Sequence, residues 1–85
     1  MNRDRFVEET VAWINAGLAP DGIRIRSDTR MFADRLIDSI RILHLIAWTE
    51  RALGREIQDR DIRMDNFTSV ERMADAFLGD SDDLS

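Results

Sequence analysis

The chain has 85 residues, a net charge of −5, one histidine, no cysteine and twelve basic residues that are all arginine. The missing cysteines exclude disulfides, thiolate metal sites and a thiol nucleophile. The single histidine excludes a histidine-based metal cluster, and the acidic balance argues against nucleic acid. One domain is expected, with a core of modest size, since a chain this short buries only about 60–65% of the surface it exposes unfolded. No apolar run is long enough to span a bilayer. The opening MNRDRFVEE lacks the apolar stretch of a signal peptide, so a cytoplasmic protein is expected. The all-arginine basic set reads first as a coding bias, although Arg offers forked hydrogen bonds to carboxylates and phosphates that Lys cannot.

The first helix is predicted over Asp4 to Asn15, with Phe6, Val7, Thr10, Val11 and Ile14 on one face. Gly17 is read as its stop, with Pro20 behind it. A long connection follows from Leu18 to Ile37. Its alternating Ile23-Arg24-Ile25-Arg26 resembles a strand with no partner, so it is read as an extended loop. Ile23, Ile25, Met31 and Phe32 are expected to pin that loop to the helices, and its length hints at function.

The second helix is predicted from Ser39 to Leu53, with Asp38 as N-cap and Gly54 past its end. Its apolar residues (Ile40, Ile42, Leu43, Leu45, Ile46, Ala47 and Leu53) cover most of its circumference, which predicts a central helix packed on more than one neighbour. A short third helix is expected around Arg60 to Asp65, with Ile62 facing inward. The last helix is predicted over Ser69 to Leu78, started by a Thr68/Glu71 capping box and burying Val70, Met73, Ala74 and Phe77. The expectation is an all-α fold: an irregular four-helix bundle of three main helices plus a short third one, with a long loop between the first two. The domain is expected over residues 1–78, with an acidic disordered tail at 79–85.

A self-contained enzyme is not expected, and no catalytic residue or metal ligand is assigned. The only histidine, His44, lies five positions after Ser39 on one helix, so the two side chains point roughly 140° apart. No carboxylate pair sits in an apolar setting suited to acid–base work, and no glycine-rich phosphate loop is present. As a substrate, Ser39 is better placed. It opens a helix after a loop, where the helix dipole favours an attached anion. On its own an Asp-Ser helix start is commonplace.

The surrounding residues say more. Leu36-Ile37-Asp38-Ser39-Ile40 resembles the attachment motif of the acyl and peptidyl carrier protein family, in which an Asp-Ser pair precedes Leu, Met or Ile. The similarity continues through Leu43, Leu45, Leu53, Gly54, Glu56 and Ile57, then through Asp59 to Phe67 and Thr68-Ser69-Val70. The resemblance implies that Ser39 receives a 4′-phosphopantetheine arm from coenzyme A through a phosphopantetheinyl transferase. The arm's thiol would then carry an acyl or aminoacyl group as a thioester. Asp38 would cap the helix and help the transferase orient its metal and coenzyme A.

Two departures narrow the type. Leu36 stands where fatty-acid carriers typically have Gly, which brings the motif closer to D-alanyl carriers and discrete natural-product carriers. The usually acidic face of the second helix reads Arg41, His44, Trp48 and Arg51, a stripe at i, i+3, i+7 and i+10. Such a stripe would repel basic docking patches and suit an acidic or apolar partner. Trp48 is read either as a docking anchor or as core folded over the bundle edge. Arg41 is read either as a solvated side chain or as a contact to the arm's phosphate or a partner. Ile40 and Arg35 border the same site.

The leading expectation is a stand-alone, monomeric carrier in secondary-metabolite biosynthesis. An adenylating ligase or acyltransferase would load it, and a condensing or tailoring enzyme would unload it. A primary fatty-acid carrier is the alternative within the family, and an unmodified helical interaction module the alternative outside it.

Overall fold

In a computed structural model of the chain, residues 2–33 and 36–79 are described; Arg35 and the predicted tail beyond Gly79 lie outside them. The described residues are helical and contain no strand. Three α-helices order the chain: α1 (Arg3–Trp13), α2 (Arg41–Leu53) and α3 (Val70–Ala74).

Helix α1 starts where Asn2 accepts a hydrogen bond from the Arg5 N–H at 2.8 Å, meeting one of the free donors of a helix start. Phe6, Thr10 and Ile14 are fully buried, as the spacing predicts. The helix runs past its predicted end, because Ile14–Leu18 continues it as a π-helical turn closed by Ala19 N–H to Ile14 O at 2.9 Å. Gly17 is therefore inside the helix and does not stop it. The stop comes from Pro20, which forces the residue before it out of the helical region; Ala19 is extended at φ −69°, ψ 148°.

The loop after α1 is held by side chains. Asn15 donates to the Ile25 carbonyl at 3.0 Å and accepts from the Ile25 N–H at 2.8 Å. The partner that the Ile23–Arg26 alternation lacked is thus a side-chain amide, which satisfies both backbone groups of one residue. Ile25 is buried and Ile23 is 42% exposed, so only the first of the two pins the loop. Further on, Ser27 donates to the Glu71 carboxylate at 2.9 Å while the Glu71 N–H returns to Ser27 O at 2.9 Å. The Met31 N–H reaches Thr68 O at 2.7 Å, and Met31 is fully buried.

Helix α2 is less central than its composition predicts. Leu45 and Thr49 are fully buried, and Ile42, Ile46 and Leu53 pack partly against the core. Ile40 and Leu43 are 68% and 64% exposed. The expected third helix is replaced by two 3₁₀ turns, Asp59–Asp61 and Met64–Phe67. Ile62 between them is exposed, and the inward residues of this stretch are Ile57 and Phe67. Gly54 ends α2 in the left-handed region at φ 72°, a conformation that costs Gly least. The Glu50 carbonyl accepts from the N–H groups of Gly54 and Arg55, and its carboxylate takes the Ile57 N–H at 2.9 Å. One residue thereby turns the chain so that Ile57 enters the core.

Helix α3 buries Val70, Met73, Ala74 and Phe77 as predicted, the last from a π-helical turn, Asp75–Gly79. Its cap is Ser69, whose hydroxyl accepts the Arg72 N–H at 3.0 Å. The expected Thr68/Glu71 box does not form: Thr68 donates to Asp65 O, and Glu71 is engaged by Ser27. Arg3 and Asp75, 2.6 Å apart, tie α1 to the π-helical turn that follows α3. The Phe67 and Phe77 rings meet at 5.5 Å in the core.

Candidate functional site

Helix α2 begins at Arg41, two residues later than the predicted Ser39, and Asp38 opens the turn ahead of it. The Asp38 carbonyl accepts the Ile42 N–H at 3.0 Å, and the Leu43 N–H then turns to Ile40 O at 3.1 Å. Asp38 Oδ1 accepts the N–H groups of Ile40 at 3.0 Å and Arg41 at 2.8 Å. Asp38 thus caps the turn that leads into α2, as the sequence predicts, whereas Ile40, at the N-cap position of α2 itself, makes no side-chain cap bond. The bonds to Asp38, the Arg41 N–H foremost, together with the Arg41 charge hold its carboxyl below the usual carboxylate range against the opposing effect of desolvation. Oδ2 makes no hydrogen bond to a described residue.

Ser39 is the next residue, exposed in the turn. Its hydroxyl makes no hydrogen bond to any described residue. The cap is supplied by the aspartate, so the serine oxygen is left over. The helix dipole and the neighbouring Arg41 favour an anion there. Arg41 is half-buried and carries no ion pair with a described residue. Ser39 and Arg41 therefore fit an attached phosphodiester, which the Asp38 carboxylate opposes.

The predicted stripe of α2 splits in two. His44 and Arg51 are exposed, whereas Trp48 is half-buried. The Trp48 indole N–H donates to buried Thr10 at 3.1 Å, and its ring stacks on Trp13 with centroids 5.1 Å apart and planes at 8°. Trp48 is therefore a seam between α1 and α2, the core alternative weighed for it, and a free docking anchor is not needed to explain it. Stacking of this kind contributes about 0.5–1.5 kcal/mol beyond area burial. Arg35, expected to border the site, lies outside the described residues.

The chain matches no family model, no curated protein and no solved structure.

Beside Ser39 opens a groove that sequence reading missed. Its α1 wall is Trp13, Ala16, Gly17 and Leu18; its α2 wall is Ile40, Arg41 and His44; it holds about 530 Å³. A second depression of about 550 Å³ continues it past Ala47 to Arg51 and Arg55, sharing Trp13 and His44. Volumes of this size are typical of small-ligand sites. The signal available in the sequence was slight: Trp13 four residues before Gly17, and the small pair Ala16-Gly17. That α1 reaches this far depends on the π-helical turn, which no periodicity announces. Among the described residues there is no cluster of His, Asp or Glu able to hold a metal, and no helix is long and apolar enough to cross a membrane.

Proposed function

We propose that this chain is a discrete acyl or aminoacyl carrier protein, modified on Ser39 with 4′-phosphopantetheine. The observation that carries the reading is the exposed, unengaged Ser39 hydroxyl at the start of α2, released from capping by Asp38. In the loading step Ser39 Oγ attacks the phosphorus of coenzyme A that bears the pantetheine. A new P–O bond forms, the pyrophosphate bond breaks, 3′,5′-ADP leaves with the electron pair, and the serine proton passes to a base of the transferase. Asp38 keeps the turn wound during that attack, and its free Oδ2 suits the metal of the transferase. Once attached, the arm supplies a thiol that holds the cargo as a thioester. Arg41 offsets the charge of the phosphodiester.

On this reading the three helices and the 59–67 segment together form the irregular four-helix arrangement of a carrier, working in the cytoplasm as a monomer. A ligase or acyltransferase loads it and a condensing or tailoring enzyme unloads it. The Arg41, His44 and Arg51 side of α2 favours natural-product partners over those of fatty-acid synthesis. The exposed Ile40 and Leu43 favour one second reading, an unmodified interaction module that binds through α2. Intact mass separates the two. Incubation with coenzyme A and a broad-specificity transferase is expected to add one phosphopantetheine to the wild type and none to Ser39→Ala. A wild type left unmodified, under conditions that modify a control carrier, overturns the carrier reading.

A further inference from the structure

After Gly79 the sequence continues Asp80-Ser81-Asp82-Asp83-Leu84-Ser85, an acidic run closed by a leucine. The place where this segment sets out is fixed by Arg55, whose Nη2 donates to the Phe77 carbonyl at 3.2 Å. Arg55 also lines the second depression, along which Arg51, Ala47, His44 and Trp13 follow. The segment therefore starts at the rim of that depression. Six extended residues reach about 20 Å, and Arg51 to His44 is only about 10 Å of helix. Polarity runs in the same order on both. On the surface, Arg55 and Arg51 come first, with Ala47 and the Trp13 ring beyond. On the segment, Asp80, Asp82 and Asp83 come first and Leu84 follows. Arg51 is exposed in the last turn of α2 and has no ion pair with a described residue. Trp13 is held in place by its stack on Trp48, and a surface ordered beforehand loses little entropy when a group settles on it. Two carboxylates share the lining. Glu50 is occupied by the Ile57 N–H, and exposed Glu56 opposes the segment. The attraction is thus modest, but a tether to the rim holds the segment at an effective concentration of about millimolar, where weak contacts suffice.

We infer that the segment 80–85 folds back over the depression at the end of α2, with its carboxylates on Arg51 and Arg55 and Leu84 against Ala47 and Trp13. The inference is independent of whether Ser39 is modified. It gives the Arg51 and His44 side of α2 an occupant from the same chain, which an outside partner has to displace. It also states that partner's chemistry: an acidic run followed by an apolar side chain.

The test uses the full chain with Ser85→Cys, which then holds its only cysteine, labelled there with a nitroxide. Paramagnetic broadening is read at the Trp13 indole N–H and the Ala47 and Arg51 amides. Two further chains carry Arg51→Glu, or Asp82→Asn with Asp83→Asn; both keep the segment's length, so they report contact rather than mere nearness. Broadening is expected to fall several-fold in each, and to fall likewise in the parent at about 1 M salt, where charges are screened within about 3 Å. Exchanging the charges, with Arg51→Glu, Asp82→Arg and Asp83→Arg together, is expected to restore it. Equal broadening in the parent and both variants overturns the inference, as does none in the parent. Broadening that passes from a labelled copy to a separate isotope-labelled copy overturns it too, because it seats the segment on a second molecule.

Discussion

Two helices of the chain start close to a serine, and the two serines have opposite fates. At α3, Ser69 is itself the cap, and its hydroxyl is spent on the Arg72 N–H. At α2, Asp38 takes the N–H groups of Ile40 and Arg41, and the hydroxyl of Ser39 is spent on nothing described. The residue types are similar and the positions differ by one. Moving the cap one residue upstream converts a structural hydroxyl into a chemically available one. The Asp-Ser order matters because the carboxylate does the structural work that would otherwise occupy the serine.

The comparison can be broken outright by exchanging the two losses. Ser39→Ala is expected to abolish phosphopantetheine addition with little change in thermal midpoint. Ser69→Ala is expected to leave addition intact and cost about 1 kcal/mol, a fall of several degrees for a domain of this size. Ser69→Asp should restore most of that, because Asp caps as well as Ser. Intact mass and thermal denaturation of the three variants decide the matter; equal modification of Ser39→Ala and wild type would end the argument.

A third hydroxyl sharpens the contrast. Thr10 is fully buried and accepts the Trp48 N–H. Trp48→Phe keeps a ring in the seam but removes that donor, and is expected to cost about 1–2 kcal/mol. Unchanged denaturant midpoints would show that the bond contributes nothing.

Asp38 supplies a pH test. Its carboxyl titrates below its ordinary value of about 3.9, so the stability it contributes is complete above that value and is lost as pH falls through the lowered one. Asp38→Asn still caps but does not titrate. It is expected to flatten the fall of the thermal midpoint below about pH 4; an unaltered acid limb would show that other carboxylates dominate there. The smallest effect is expected at Arg51, which lies outside the cap altogether. Arg51→Glu should change stability by no more than about 0.5 kcal/mol while slowing turnover with the partner enzyme. Equal kinetics for variant and wild type would remove Arg51 from the docking surface.

Much of this was legible in the residues themselves. Local signals act over three or four positions, and where they did so they held. Asp38 caps the turn into α2, Gly54 ends that helix with positive φ, and the stripes Phe6-Thr10-Ile14 and Val70-Met73-Ala74-Phe77 are buried. The reading failed where two local options were nearly equal in energy and a distant contact chose between them. Thr68 and Ser69 are both competent caps, and Glu71 was drawn from its box by Ser27, 44 residues away. Gly17 is a plausible stop, yet the π-helical turn carries α1 to Leu18 and so builds the groove wall.

Composition and local pattern were thus enough to determine a helical chain with a spare serine hydroxyl at a capped helix start, since capping and periodicity are short-range. Tertiary structure alone decided that Trp48 faces Trp13, that Ile40 and Leu43 stay in solvent, and that a groove leads away from Ser39. Those outcomes depend on which helix faces pack together, and one helix's own pattern is equally satisfied by several arrangements of its neighbours.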